Sequence, residues 1–265
     1  MDKAETSPPM VIPILVISLP GSADRRESIA ARLDALSLPF EFVDAVDGRR
    51  GLPEECEPLI DRSRAVSGHS YPMSDAEFGC ALSHMKAYRR MIDNGIPHAM
   101  ILEDDAIPQS DLPQYLEGRH FEGSDLTSLF YGRAYVKPRR AVHLFDGYKS
   151  YPCEPGIFVG GAVGYIVSLD AARHILENAL PVISVPDWPA CAERFKELKR
   201  WHLVHPRLVE HAKRNTGGEP STIGPSRRQR KRRFLGVYIP PWDRITQSWK
   251  WKLCYRLLGF RKINW

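Results

Sequence analysis

The run Ala99-Met100-Ile101-Leu102-Glu103-Asp104-Asp105 decides most of what the sequence says about fold and function. Its first four residues are apolar and predict a buried strand, so the three acids lie where that strand ends. Like charges this close repel, at roughly 4 kcal/mol per pair for about 4 Å and an effective dielectric of about 20. A divalent cation would remove that cost, because Mg²⁺ binds carboxylates together with substrate phosphates. The acids therefore predict a metal–diphosphate site, with a solvated acidic turn as the alternative.

The stretches around this strand alternate between strand and helix signals, which predicts an α/β domain with a mostly parallel sheet flanked by helices. Helix starts are signalled by Ser22, by a capping box at Ser74-Asp75-Ala76-Glu77 and by Ser168. The predicted strands are Val11–Ser18, Phe40–Val46, Asp125–Tyr131, Gly164–Val167 and Trp201–Val204. The predicted helices are Ala23–Leu36, the capped helix ending at Asp93, Leu169–Ala179 and Pro189–Lys199. Residues 49–72 are predicted to be largely loop.

Charge divides the 265-residue chain into an acidic body and a basic tail. The net charge is +5, but residues 227–265 carry 12 Lys/Arg and one acid, while the remainder carries 25 basic and 31 acidic residues, a net charge of −6. Four of the six tryptophans also lie in the tail. We therefore predict a catalytic domain over residues 1–225 and a basic, aromatic, amphipathic tail over 226–265, suited to an anionic membrane surface. The alternative is a tail helix that packs on the body.

The five cysteines are scattered and form no C-x-x-C pair, so the sequence suggests neither a disulfide framework nor a zinc site. No apolar run reaches the roughly 18 residues of a membrane span. The apolar stretch Met10–Leu19 lacks a basic leader and is interrupted by Pro13, so we expect no signal peptide. These features predict a cytoplasmic protein, and the basic tail predicts a peripheral position on the inner face of the cytoplasmic membrane.

Several separated motifs occur in a specific order across residues 11–225. The sequence Val16-Ile17-Ser18-Leu19 leads to Ser22-Ala23-Asp24-Arg25-Arg26, and Phe42-Val43-Asp44-Ala45-Val46-Asp47-Gly48-Arg49 follows. Glu77-Phe78-Gly79-Cys80-Ala81-Leu82-Ser83-His84 then precedes the acidic strand. In order and spacing this set resembles glycosyltransferase family 25, which includes bacterial lipooligosaccharide galactosyltransferases and animal collagen galactosyltransferases. One departure is Ser18-Leu19-Pro20-Gly21, where family members usually carry Asn-Leu and a basic residue.

The resemblance implies a GT-A-like, Rossmann-type fold, a nucleotide-sugar donor, a divalent metal and inversion at the anomeric carbon. The expected donor is UDP-galactose, and the expected acceptor is a glycolipid or oligosaccharide of the lipooligosaccharide type. The acids resemble a variant of the D-x-D element, so Asp105 with Glu103, and Asp104 in the same motif, are expected to hold Mn²⁺ or Mg²⁺. His211 is expected as a further metal ligand, with an ordinary surface histidine as the alternative.

The remaining site residues are candidates for proton transfer and donor binding. Asp187 is the candidate base for the acceptor hydroxyl, with a helix N-cap as the alternative. The resemblance assigns six residues to the donor pocket: Asp24, Arg25, Arg26, Asp44, Ser83 and His84. As alternatives, Asp24 interacts favourably with the helix dipole, the two arginines are solvated, and His84 is a packed histidine of the core. Gly160-Gly161 and Tyr165 resemble the family's acceptor-side segment.

These observations lead to three alternative hypotheses for the function. The first is an inverting, metal-dependent glycosyltransferase that uses the acids. The second is a nucleic-acid-binding protein driven by Arg228–Arg233, an interpretation that the acidic body disfavours. The third is a nucleotidyltransferase that uses the same acids.

Overall fold

The computed structural model describes residues 12–65, 72–132, 134–153, 161–185, 198, 200–212 and 258–263. Its strands are β1 (Ile14–Ser18), β2 (Glu41–Asp44), β3 (His98–Glu103), β4 (Ala106–Pro108), β5 (Leu126–Ser128), β6 (Ala134–Val136), β7 (Val142–His143), β8 (Lys149–Pro152), β9 (Gly164–Ser168), β10 (Trp201–His205), β11 (Val209–His211) and β12 (Arg261–Ile263). Its α-helices are α1 (Ala23–Asp34), α2 (Asp75–Asp93), α3 (Leu112–Glu117) and α4 (Leu169–Ala179). Short 3-10 helices cover Glu54–Leu59 and Pro138–Arg140.

The main sheet has eight strands in the order β2-β1-β3-β9-β5-β10-β8-β7. Strands β8 and β9 run antiparallel to their neighbours, so the other six strands share one direction. The predicted α/β class with a mostly parallel sheet is therefore confirmed. The three strands that carry the sequence motifs, β2, β1 and β3, form one continuous parallel block at the edge of this sheet.

Both faces of the central strands are buried, each under a different layer of helices. Along β1, Leu15 and Ile17 join the core that contains side chains of α2 and α4. Ile14 and Val16 join the core that contains side chains of α1 and α3. Because side chains alternate along a strand, continuous apolar runs are expected where a sheet is covered on both faces. This explains why β1 and β3 read as unbroken apolar stretches in the sequence.

The helix starts agree with the capping signals. The Ser74 hydroxyl accepts from the Glu77 backbone N–H at 3.3 Å, and the Ser74 backbone N–H donates to the Glu77 carboxylate at 2.9 Å. This reciprocal pair is the predicted capping box, and it satisfies backbone donors that the helix itself leaves open. Ser168 likewise accepts from the Ala171 backbone N–H at the start of α4, which has the predicted bounds.

Two small sheets were not predicted from the sequence. Strand β4 pairs antiparallel with β11, and β6 pairs antiparallel with β12 near the C-terminus. Each of these strands has only three residues, too few for alternation to signal a strand. The pairing of β12 means that the end of the basic tail packs on the body, and Phe260 beside it is buried with Lys137 above its ring.

Two predicted helices, Pro189–Lys199 and most of the tail helix, lie outside the described residues. Among the residues that are described, no helix combines the length and apolar character needed to cross a membrane.

Candidate active site

A pocket lies at the carboxyl ends of the parallel strands β1, β2 and β3. The register pairs Ser18 with Asp44 and Ile17 with Glu103, so these three strands end at nearly the same level. Ligands of open α/β sheets bind outside the carboxyl ends of strands. The pocket is lined by the ends of β1 and β3, the start of α1, the loop after β2 and the first half of α2. Its polar lining residues are Ser18, Arg25, Asp47, Arg49, Cys80, Ser83, His84, Glu103, Asp104 and Asp105.

Two glycines let the loop after β2 lie directly against α2. A Cβ on Gly48 would lie 2.0 Å from the Asp75 carbonyl oxygen, and a Cβ on Gly79 would lie 2.6 Å from the Val46 carbonyl oxygen. Ser83 joins the same contact, since its hydroxyl accepts from the Val46 N–H at 2.8 Å and donates to the Gly79 carbonyl at 2.6 Å. Ser83 lines the pocket, and its hydrogen bonds position the loop, while its contact with a donor stays a prediction.

Asp104 is held by β1 and α1. Its Oδ2 accepts from the Ser18 hydroxyl at 2.8 Å, and its Oδ1 accepts from Arg25 Nη1 at 2.9 Å. The Arg25 guanidinium therefore offsets part of the repulsion between the three acids. From the sequence alone, this repulsion was expected to be removed by a bound metal cation. A metal at Asp104 would have to share oxygens that already accept strong hydrogen bonds. Asp104 therefore connects the end of β3 to α1. Arg25, which was predicted to face the donor, is held at the pocket wall by this ion pair.

Glu103 extends from the same strand toward α2, where it meets His84. Glu103 Oε1 lies 3.5 Å from His84 Nε2, and His84 is fully buried. The other ring nitrogen of His84 lies 2.8 Å from the Tyr165 hydroxyl, which is 2.6 Å from the Tyr88 hydroxyl. Burial raises the pKa of both tyrosines, so both remain neutral phenols. Tyr165 is thus a buried residue of this network, and the acceptor-side role of its segment stays a prediction.

Asp105 is brought together with His211. Asp105 Oδ2 lies 3.4 Å from His211 Nε2, and the Asp105 carbonyl accepts from the Ala212 N–H at 3.0 Å. The β4–β11 pairing, with His211 opposite Ala106, produces this contact. His211 is therefore part of a strand beside the acidic motif, as the metal-ligand hypothesis requires.

Asp105 and His211 form a donor set that fits a divalent ion. Two ligand atoms about 2.1 Å from one octahedral ion are about 3 Å apart, close to the observed separation. A carboxylate oxygen and an imidazole nitrogen suit Mn²⁺ or a similar ion. Both side chains are mostly buried, with 14% and 19% of their surface exposed. Glu103 lines the same pocket but is directed toward α2.

Arg26, Asp44 and Asp24 lie at or outside the rim. Arg26 forms an ion pair with Asp44, donates to the Ser18 carbonyl at 3.0 Å and stacks over the Phe42 ring. These contacts connect α1 to the ends of β1 and β2. Asp24 is exposed in the first turn of α1 and is absent from the residues that line the described pocket. The three residues thus surround the site, and their predicted contacts with a donor stay a prediction.

Three lining residues were missed as site candidates in the sequence: Asp47, Arg49 and Cys80. Arg49 Nη2 donates to Asp47 at 2.6 Å, and this hydrogen bond holds the pKa of the Asp47 carboxyl below its ordinary value. The Asp47-Gly48-Arg49 motif could have indicated these residues in the sequence. A glycine permits close approach of the backbone, so the charged residues on either side of it are held next to the pocket. Asp187, the candidate base, lies outside the described residues.

Comparison with known proteins agrees with the arrangement of these motifs. The profile of glycosyltransferase family 25, described as LPS biosynthesis protein, matches residues 11–187, which include the acidic strand and every strand end of the pocket. The chain belongs to glycosyltransferase family 25. It is accordingly a glycosyltransferase, and this membership favours the transferase hypothesis over the nucleic-acid-binding and nucleotidyltransferase alternatives.

Individual relatives in this family come from bacteria and animals. The lacto-N-neotetraose biosynthesis glycosyltransferase LgtE of Neisseria meningitidis serogroup B is 29% identical over 208 residues, covering 73% of this chain and 71% of the relative. LgtB of the same organism is 33% identical, covering 63% of this chain and 62% of the relative. A glycosyltransferase 25 family member of Aedes aegypti is 28% identical, covering 62% of this chain and 28% of the relative.

Proposed function

We propose that this family 25 enzyme transfers galactose from UDP-galactose to a lipooligosaccharide-type acceptor, with inversion at the anomeric carbon and a divalent ion on the donor diphosphate. The observation that carries the proposal is the pocket at the ends of β1, β2 and β3, whose lining residue Asp105 lies 3.4 Å from His211. The bacterial relatives, whose names refer to lacto-N-neotetraose biosynthesis, support the acceptor class.

Asp105 and His211 would hold the ion, Mn²⁺ or Mg²⁺, with Glu103 beside them. A bound ion supplies electrostatic stabilisation of the charge that develops on a departing nucleoside diphosphate. Arg25 and Arg49 line the same pocket and add fixed positive charge to its walls. Arg25 is itself fixed by Asp104, so this charge is preorganised and needs little rearrangement when a diphosphate binds.

The acceptor hydroxyl must lose its proton during the transfer, and we assign Asp187 as the base. Inversion by direct displacement needs a general base on the acceptor side, for which a carboxylate is the usual choice, and Asp104 is already engaged by Arg25 and Ser18. The expected result for Asp187→Asn is a loss of about 100-fold or more in kcat with nearly unchanged donor binding. An unchanged kcat would remove Asp187 from the reaction.

A donor screen tests the proposed activity. The full chain is incubated with Mn²⁺, a lipooligosaccharide acceptor and each of UDP-galactose, UDP-glucose and UDP-N-acetylglucosamine, and UDP release is measured with and without EDTA. We expect acceptor-dependent release with UDP-galactose that EDTA abolishes. Preference for another sugar would overturn the donor assignment, and full activity in EDTA would overturn the metal assignment. Product NMR distinguishes an inverted from a retained anomeric configuration.

The basic tail is proposed to hold the enzyme on an anionic membrane surface, where a glycolipid acceptor would be found. Truncation at residue 225 would also remove β12, which pairs with the body, so charge removal is the cleaner test. We expect the variant with Arg228, Arg230, Arg232 and Arg233 changed to Gln to lose sedimentation with anionic vesicles. Equal sedimentation of this variant and the unmodified chain would contradict the assignment. Neutral vesicles provide the control for charge-independent binding.

A further inference from the structure

A second group of metal-binding side chains lies on the α2 wall of the pocket. Cys80 and His84 are four residues apart on α2, so both lie on the same face of the helix. Glu103 reaches this face from the end of β3. The Cys80 Sγ, a ring nitrogen of His84 and a carboxylate oxygen of Glu103 all lie within 4.8 Å of one another. Cys80 is reduced, and both Cys80 and Glu103 are partly exposed to the pocket.

His84 provides an independent indication that this group binds a ligand. It is fully buried, and within the described part of the chain its Nε2 has no hydrogen-bond partner. A buried polar atom without a hydrogen bond costs free energy and requires an explanation. This nitrogen faces Glu103 at 3.5 Å, inside the group defined by Cys80, His84 and Glu103.

The other side of the His84 ring is organised as it is in metal sites. His84 Nδ1 lies 2.8 Å from the Tyr165 hydroxyl, which is in turn 2.6 Å from the Tyr88 hydroxyl. Metal-ligating histidines almost always donate their second ring N–H to an oxygen, which sets the tautomer and the ring orientation. If Nδ1 donates to Tyr165, the lone pair of Nε2 is directed toward Cys80 and Glu103.

We propose that Cys80, His84 and Glu103 form a site for a thiophilic divalent cation of the Zn²⁺ type, distinct from the Asp105–His211 pair. Thiolate, imidazole and carboxylate are the three ligand types that Zn²⁺ takes, at about 2.0–2.3 Å, so ligand atoms of one tetrahedral ion lie on the order of 3.5 Å apart. The mutual separations within 4.8 Å are compatible with such a site. The partly exposed Cys80 and Glu103 leave a fourth coordination position open toward the pocket. Soft thiolate ligands disfavour Mg²⁺ and Mn²⁺, so the two sites differ in the metal that they select.

This site has a consequence for the proposed transfer reaction, although its existence does not depend on that reaction. Glu103 lines the pocket from the end of β3, next to Asp104 and Asp105 in sequence. Zn²⁺ bound by Cys80 and His84 would hold the Glu103 carboxylate against α2. The chain is therefore expected to bind Zn²⁺ in the presence of excess Mg²⁺, with Glu103 unavailable to the donor's ion.

Titration of the full chain with Co²⁺ tests the site, because a cobalt–thiolate bond gives a charge-transfer absorption that oxygen and nitrogen ligands do not give. We expect one equivalent of Co²⁺ to produce this band and one equivalent of Zn²⁺ to remove it. Cys80→Ser should abolish the band, while the matched controls Cys56→Ser and Cys153→Ser, at free cysteines that do not line the pocket, should retain it. Circular dichroism shows that each variant is folded.

Two further variants test whether Glu103 and His84 also bind the cobalt ion or whether the Cys80 thiol binds it without them. Glu103→Gln should keep the band but weaken Co²⁺ affinity by at least 10-fold, and Tyr165→Phe should weaken it with the same spectrum. A band that persists in Cys80→Ser, or no band in the full chain, overturns the proposed site and leaves the transferase proposal intact. Absence of UDP release with a normal cobalt band overturns the transferase proposal alone.

Discussion

The Asp105 carboxylate, which lines the pocket, lies 3.4 Å from the His211 imidazole, although the two residues are far apart in the sequence. Their contact depends on the short antiparallel pairing of β4 with β11, which sets His211 opposite Ala106. The end of the acidic motif is thereby converted from a run of like charges into a mixed carboxylate–imidazole pair. The pair has the ligand types and spacing of a site for a hard metal ion.

Asp105→Asn is expected to lower metal-dependent UDP release by about 100-fold, the range seen when a stabiliser of transition-state charge is removed. The amide keeps the shape of the side chain but loses the charge that attracts the cation. The apparent Mn²⁺ affinity, measured from the metal dependence of the rate, should fall in Asp105→Asn and in His211→Gln.

Asp170→Asn is the matched control for this substitution, because Asp170 is an exposed carboxylate in the first turn of α4, away from the pocket. It should leave both the rate and the Mn²⁺ dependence unchanged. Wild-type Mn²⁺ dependence in both Asp105→Asn and His211→Gln would rule out the pair as the metal site.

Arg25→Met is expected to destabilise the fold by about 2 kcal/mol, the cost of removing a hydrogen bond to a mostly buried charged group. Asp104 is 9% exposed, so its carboxylate would keep its Ser18 hydrogen bond but lose its cation. Urea unfolding measures the change in the free energy of unfolding. Arg173→Met, which removes an exposed ion pair with Asp170, should cause almost no change.

The double variant Arg25→Met/Asp104→Asn shows whether the two residues act as a pair. Its loss should be smaller than the sum of the single losses, because the second substitution removes a charge that has already lost its partner. Strict additivity would contradict direct coupling between Arg25 and Asp104.

Gly48→Ala is expected to destabilise the protein by about 2 kcal/mol or more, because its Cβ would lie 2.0 Å from the rigid backbone of Asp75. The loop after β2 would have to move away from α2, which should also lower the affinity for the nucleotide. Gly21→Ala is the control, since a Cβ there meets nothing within 4 Å. Thermal unfolding and UDP binding of the two variants give the comparison, and equal melting temperatures would refute the close-packing argument.

The protein is expected to lose stability as the pH falls below about 6.5, the ordinary pKa of histidine. Burial lowers the pKa of His98, His202 and His205 in the folded state. The unfolded chain therefore takes up protons first, and its excess of bound protons makes the free energy of unfolding decrease as the pH falls. The contribution of these three histidines to stability is complete at pH values above their pKa in the unfolded chain. It is lost as the pH falls through their lowered pKa in the folded protein.

Melting temperatures at pH 7.5 and 5.5 measure the effect. His202, which is hydrogen-bonded to Ser124, can be replaced by Gln to give a side chain that does not titrate in this range. The difference in melting temperature between the two pH values should be smaller in His202→Gln. His143→Gln, at an exposed position, should keep the unmodified difference. A larger pH effect in His202→Gln would contradict the direction of the shift.

Local signals in the sequence were sufficient for the elements whose stabilising contacts are local. The Ser74–Glu77 capping box and the Ser168 cap involve residues three apart, so both helix starts could be predicted from the chain itself. The apolar run before Glu103 likewise predicted β3, because burial on both faces requires an apolar residue at every position. The three-residue strands could not be predicted, because their stability comes from a partner strand that is distant in sequence.

The amino-acid sequence by itself determined the α/β class, the position of the acids at a strand end and the family. Only the tertiary structure decided what each acid does: Glu103 meets His84, Asp104 binds Arg25 and Ser18, and Asp105 meets His211. Glu103 ends β3, whereas Asp104 and Asp105 lie in the turn before β4, so the chain changes direction and the three neighbouring acids reach three different surroundings. The sequence shows that three charged residues are adjacent. It does not show their partners, because those partners belong to other strands and helices that only folding brings next to the acids.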